Sequence, residues 1–329
     1  MLNIMAQELL DRITGTFSLT LSGLVKGYIL TVRAEGKSPH TIIFYESILN
    51  RFMWYAQAHG FPENPQEINR FHITEFLSYV QNEPIRWGGT SNTACRPANE
   101  TTVRHYYRTL YTFFGWCHIE GFITENPVAP IKTPKAAHKV IQALTDGEIR
   151  KLLAQCPQKT QLGCRDRAIL LMFLDTGMRV SELANLQPGD IDMDTGSILI
   201  TQGKGRKQRI VRIGSTTLKA LWRYMQLYRK GESEAVFLSK TGDSLQANGI
   251  EIMVRKLGQK AGVPGVHAHR LRHTFAISFL RAGGDIFTLK HLLGHSSLTM
   301  VENYLKSLSS EDALKAHEKY SPVNKLNLK

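Results

Sequence analysis

Cysteine is scarce in this chain: 329 residues hold four, Cys95, Cys117, Cys156 and Cys164, and no two stand at Cys-x-x-Cys spacing. That excludes a disulfide framework and a thiolate metal site, so these thiols read as reduced and mostly structural. No apolar run approaches the ~18 residues that a membrane span needs. The N-terminal stretch carries Glu8 and Asp11 and lacks the basic start and apolar segment of a secretion signal, which points to a cytosolic protein. There is no phosphate-binding glycine loop, no acidic metal-binding motif and no internal repeat. Those absences are consistent with chemistry that needs neither nucleotide nor metal.

Negative charge is also in short supply. Lys and Arg number 41 against 28 Asp and Glu, a formal net charge of +13. The surplus is local: residues 201–290 hold 17 cations and 5 anions, and the rest of the chain is nearly balanced at 24 against 23. A solubility charge is dispersed with both signs mixed, whereas a concentrated field suits a polyanion. Nucleic acid is the favoured partner, ahead of an anionic membrane surface.

Helical spacing of apolar residues runs from Ser18 to Ala34, then after Ser38-Pro39 through Ile42 to Tyr55, from His72 to Val80, and from Thr101 to Ile119. Residues 83–99 form a Pro/Gly/Asn-rich loop between the last two. In the fourth segment Arg104, Tyr106, Tyr107 and Arg108 mix cations with aromatics, which fits a DNA-contacting helix and an ordinary helix surface equally well. Three prolines and three lysines between Asn126 and Lys139 mark a linker, either solvated or lying along a phosphate backbone. A capping box, Thr145 to Glu148, then opens a second domain. Its pattern is a buried helix from Arg165 to Leu174, strands at Ser197–Thr201 and Gln208–Ile213, and helices at 217–229, 247–261, 269–282 and 285–293.

Four stretches carry candidate chemistry. Arg179 follows Gly177 at a helix junction, where a side chain can enter a cleft. Gly203-Lys204-Gly205-Arg206-Lys207-Gln208-Arg209 is a hairpin tip slim enough for a groove and dense enough in cations to neutralise phosphates. His269 and Arg272 share one helical face, with His267 and His273 close by. Three imidazoles suggest zinc, but Arg270 and Arg272 would repel a divalent cation and no carboxylate or cysteine motif completes the set. Finally His295 precedes Tyr304 by nine residues, after a helix ended by Gly294. Together two arginines, a lysine, two histidines and a tyrosine make sense for attack on a phosphodiester. Arginine forks bind nonbridging oxygens, an acid protonates the departing alkoxide, and a phenolate is both nucleophile and tolerable leaving group.

These stretches resemble the tyrosine recombinases, the phage integrase-type family of site-specific DNA recombinases, most strongly from Ala143 to Tyr304 and by helical pattern across 18–130. The resemblance implies a mainly α chain with a small antiparallel sheet. After a lead (1–17) would come a helical, SAM-like core-binding domain (18–130), a basic linker (131–142) and a mixed α+β catalytic domain with a helical tail (143–329). It implies that Tyr304 forms a 3′-phosphotyrosyl link and frees a 5′-hydroxyl, with Arg179 and Arg272 clamping the phosphate and Lys204 as general acid. His269 would assist proton transfer at the tyrosine and His295 would hydrogen-bond the phosphate. Glu182 would support the site, a plain surface carboxylate being the other reading.

Arg104, Arg108, Arg206, Lys207, Arg209 and Arg270 become expected DNA contacts. The partner is double-stranded DNA, bound by a homo-tetramer on two sites with accessory bending or directionality proteins, and no cofactor is called for. A mobile-element enzyme or a chromosome-dimer resolver fits the short N-terminal lead. The sequence departs from the family in placing Arg270 after His269, where smaller or acidic residues are frequent, and Leu-Lys after Tyr304 in place of Thr-His. A type IB topoisomerase would use similar residues without exchanging strands, and a catalytically silent DNA-binding relative would lack some of them. The N-terminal bundle and the tail from Ser309 to Tyr320, which docks in cis or on a neighbouring protomer, favour recombination.

Overall fold

The computed structural model describes residues 20–89, 97–134, 141–201, 208–294, 297, 299–305, 308, 312, 314 and 317. It separates into two compact units, residues 1–138 and 139–329. The expected character holds: mostly helical, with one two-stranded antiparallel sheet among the described residues.

The first unit contains α1 (Leu21–Ala34), α2 (Pro39–Ala58), α3 (Arg70–Asn82) and α4 (Glu100–Ile119). Each begins where a side-chain oxygen accepts from a free backbone N–H of the first turn: Thr20, Ser38, Asn69 and Asn99 in turn. Asn69 sets the start of α3 two residues before the apolar pattern does. The core is strongly aromatic. Phe52 meets Phe76 edge-on with ring centroids 5.0 Å apart and Phe114 at 6.0 Å, and Tyr28 meets Phe113 at 5.5 Å, each such pair adding about 1 kcal/mol beyond area burial. The loop after α3 is pinned by Trp87, whose φ of 61° is unusual for a bulky residue. Its backbone N–H donates to the Tyr79 hydroxyl at 2.9 Å, and its ring stacks on Tyr106.

The second unit runs through α5 (Asp146–Ala154), α6 (Gln161–Thr176), α7 (Val180–Ala184), β1 (Ser197–Thr201), β2 (Gln208–Arg212), α8 (Ser215–Leu227), α9 (Ala247–Lys260), α10 (Ala268–Arg281), α11 (Ile286–Leu293) and α12 (Thr299–Leu305). The register pairs Ile198 with Val211 and Ile200 with Arg209. Alternation buries Ile198, Ile200 and Val211 and leaves Ile210 66% exposed. The main core gathers α6, the sheet, α8 and α9, with Phe173, Leu221, Tyr224 and Ile250 fully covered. A smaller cluster holds Phe275, Ala276, Ile277, Leu289, Leu293, Val301 and Tyr304. Cys117, Cys156 and Cys164 are buried, and burial pushes the first two thiols up to about 12, leaving them inert. No helix among the described residues is long and apolar enough to cross a membrane.

The capping box is present: the Thr145 hydroxyl accepts from Glu148 N–H at 3.2 Å, and a Glu148 carboxylate oxygen accepts from Thr145 N–H at 2.8 Å. Replacing Thr145 with Ala should cost about 1 kcal/mol and lower the thermal midpoint of the second unit by a few degrees, measurable by calorimetry. No change would mean that packing alone sets the start of α5.

Candidate active site

Helix α6 ends because Gly177 takes a left-handed turn, φ 59°. A Cβ there would meet Phe275 at 2.3 Å and Leu293 at 2.8 Å, so the position is closed to other residues both by conformation and by space. The turn sends Met178 inward and leaves Arg179 as the residue before α7, its side chain 37% exposed. Helix α11 ends in the same way at Gly294, φ 64°.

The carbonyls at that end of α11 have no partners within their own helix, and three guanidinium groups from distant segments take them. Arg209 donates through Nε to the Leu292 carbonyl at 2.7 Å, Arg272 through Nη2 to the Leu293 carbonyl at 2.9 Å, and Arg179 through Nη2 to the Gly294 carbonyl at 3.4 Å. Arg272 is buried, and its Nη1 donates to the Gly177 carbonyl at 2.6 Å. Burial and the like charge of Arg179 pull its pKa down, opposed by Tyr304, to whose hydroxyl it is hydrogen-bonded. Tyr304 itself is buried in the smaller apolar cluster, and its ring lies 5.3 Å from that of His273.

Glu182 is the anion of the site. Its carboxylate accepts from Arg209 Nη1 and Nη2 at 2.9 and 2.7 Å, from Arg179 Nη1 at 2.9 Å and from the Arg179 N–H at 2.7 Å. Burial alone would raise its pKa; the Arg209 and Arg179 bonds override this and hold it at about 2. Of the two readings left open by the sequence, a surface carboxylate is therefore the one the structure does not show. His269 stands at the start of α10 with solvent access, yet its packing and the Arg272 charge lower its pKa, so the ring is neutral at pH 7 and able to accept a proton.

The structure thus brings Arg179, Glu182, Arg272 and Tyr304 together, with His269 on the same helix as Arg272. Lys204, His295, Arg206 and Lys207 lie outside the described residues. Two expected DNA contacts are corrected. Arg209 points inward with its side chain 6% exposed, because the two-residue period of β2 puts it on the face of Val211. Arg270 is 13% exposed, donates to the Gln142 and Pro264 carbonyls and pairs with Glu148 at 3.7 Å. On α4 the aromatics also face inward: the Tyr106 hydroxyl accepts from Arg51 at 2.8 Å and the Tyr107 hydroxyl donates to the Ile131 carbonyl. Arg108 is exposed, and Arg104 is half-buried with no partner for its Nε among the described residues. The imidazoles do not converge: His267 and His269 stack at 6.5 Å, whereas His273 is buried against Tyr304.

A family model described as the phage integrase family matches residues 142–311. The chain is also 32% identical over 295 residues to tyrosine recombinase XerA of Thermococcus kodakarensis, covering 89% of this chain and 93% of that protein. The chain belongs to the phage integrase family. It is accordingly a recombinase of the tyrosine type, and the arginine–tyrosine cluster is where this integrase-family member carries its candidate nucleophile. Solved structures agree on the fold. An integrase of the Tn1549 transposon, in complex with a circular intermediate DNA, matches with a TM-score of 0.72 at 18% identity, covering 92% of this chain and 100% of that one. A lambda integrase tetramer bound to a Holliday junction matches with a TM-score of 0.67 at 21% identity, covering 87% and 77%.

Because the folded pKa of Glu182 lies below its ordinary value of 4.5, its ionised form stabilises the protein above that pH, by roughly 3 kcal/mol, and this is lost as pH falls toward 2. In urea unfolding, the stability gap between wild type and Glu182→Gln should therefore narrow steadily from pH 5 to pH 3. A gap independent of pH would show that the carboxylate is not held by its arginines.

Proposed function

We propose that this protein is a site-specific DNA recombinase that cuts and rejoins duplex DNA through a phosphotyrosine at Tyr304. The observation that carries the reading is the hydrogen bond between Tyr304 and Arg272, with Arg179 close enough for its charge to be felt at Arg272. A nucleophile on the guanidinium that would also hold the phosphate is already within reach of the reacting atom.

The steps follow from the chemistry of each group. Arg179 and Arg272 take the nonbridging oxygens of the scissile phosphate and stabilise the charge of the pentacovalent transition state. Neutral His269 receives the Tyr304 proton as Oη bonds to phosphorus. The bond from phosphorus to the 5′-oxygen breaks, and Lys204 supplies the proton that makes the 5′-hydroxyl, while His295 hydrogen-bonds the phosphate. The product remains a phosphodiester, so a 5′-hydroxyl from a second strand reverses the step and completes the exchange. The basic segment 201–290 draws the duplex in, with Arg206 and Lys207, and Arg104 and Arg108 on the first unit, as phosphate contacts. Residues 18–130 serve as the core-binding domain, 131–142 as the linker and 143–329 as the catalytic domain. Exchange requires two sites, hence a tetramer on DNA, and the lambda integrase tetramer on a Holliday junction supports that assembly.

With a half-site suicide substrate, wild type should accumulate a covalent protein–DNA adduct and Tyr304→Phe none; an adduct in the variant would remove the assignment. Efficient relaxation of supercoiled DNA lacking a specific site would favour the topoisomerase reading instead. DNA affinity should fall steeply with salt, in proportion to the phosphates contacted, and a flat titration would contradict the electrostatic argument.

A further inference from the structure

Arg209 is the arginine of the site for which the proposed reaction has no use, yet all three nitrogens of its guanidinium are engaged. Its Nη1 and Nη2 donate to both oxygens of Glu182, and its Nε donates to the Leu292 carbonyl. Those three bonds join three separately arriving pieces of chain: β2, which follows Lys204 in sequence; α7, which carries Glu182 next to Arg179; and the end of α11, which precedes His295 in sequence. The side chains of Arg209 and Glu182 are each 6% exposed, so water does not compete for the fork.

We propose that Arg209 is a positioning residue for strand cleavage: through Glu182 it fixes the Arg179 guanidinium, and through Leu292 it fixes the α11 end on which Arg179 and Arg272 also rest. The inference deepens the reading of Tyr304 as nucleophile and rests on it. Arg179 is half open to solvent and held on one side by Glu182, so a carboxylate free to turn would let the phosphate clamp wander. A displacement of about 1 Å in such a clamp is worth about 100-fold in rate.

A role confined to packing would slow the enzyme equally at every pH, and positioning through Glu182 would not. The charges facing that carboxylate are Arg209 and Arg179, with Arg272 adding a smaller attraction. Removing the Arg209 charge leaves burial less opposed, so Glu182 should take up a proton at a higher pH than in wild type.

The test is single-turnover cleavage of the suicide substrate at saturating DNA, from pH 8 to pH 5, on variants whose folding is checked by thermal unfolding. Arg209→Gln should cleave about 100-fold more slowly at pH 8, and its deficit relative to wild type should widen as pH falls. Arg209→Lys, which keeps the charge and loses the fork, should be slowed less and by the same factor at every pH. If Arg209→Gln does not fold, the double variant Glu182→Gln/Arg209→Gln strands no buried charge; it should fold and cleave slowly with no added acid limb. Wild-type rates in either Gln variant, or a deficit in Arg209→Gln that does not change with pH, would overturn the proposal. Failure of wild type itself to form an adduct would instead strike the nucleophile assignment.

Discussion

The end of α11 is the constraint on which the site depends. A helix leaves its last carbonyls unpaired and carries a partial negative charge there. Here the unpaired carbonyls of Leu292, Leu293 and Gly294 are filled by Arg209, Arg272 and Arg179, which come from positions up to 115 residues away in sequence. Three like charges would not gather unaided in a half-buried cleft. One helix terminus and one carboxylate, Glu182, hold them. The two glycines that end α6 and α11 make the geometry possible, since each lets the chain turn sharply beside the guanidinium groups.

Holding cations by carbonyls has an electrostatic consequence that pairing them with carboxylates would not. Arg212 donates to the Thr195 carbonyl, Arg229 to the Ser233 and Ala235 carbonyls, and Arg272 to the Gly177 and Leu293 carbonyls. A carbonyl orders a guanidinium without cancelling its charge. Arg212, Arg229 and Arg272 are thus held in place with their charge kept, which suits a segment that meets a polyanion.

Much of this was legible beforehand because it is local. Thr145 and Glu148 announce α5 by their spacing, Asp285 precedes α11, and Gly177 and Gly294 mark helix ends. Arg272 and Tyr304 were grouped as candidates by their chemistry, and the structure sets the two side chains together. Arg209 was misread for a physical reason: it was grouped by charge with the hairpin cations, although strand alternation with Val211 and Ile213 already placed it inward. Glu182 stayed ambiguous because its deciding partner lies 27 residues away on another element. Tyr106 and Tyr107 left both readings open because their deciding partners are distant in sequence: Phe76, Trp87 and Arg51 for Tyr106, and the Ile131 carbonyl for Tyr107.

The smaller apolar cluster gives Tyr304 an independence that the main core lacks. Helix α12 has seven residues, too few to persist in water without packing, and among the described residues Val301 and Tyr304 are what it buries in that cluster. Lifting it uncovers those two side chains and leaves Phe173, Tyr224 and Ile250 sealed in the larger core. Local openings of this kind need only a fraction of the free energy of global unfolding. The packing of α12 is thus separable from that of the larger core, and the hydrogen bond to Arg272 is a second tie on Tyr304.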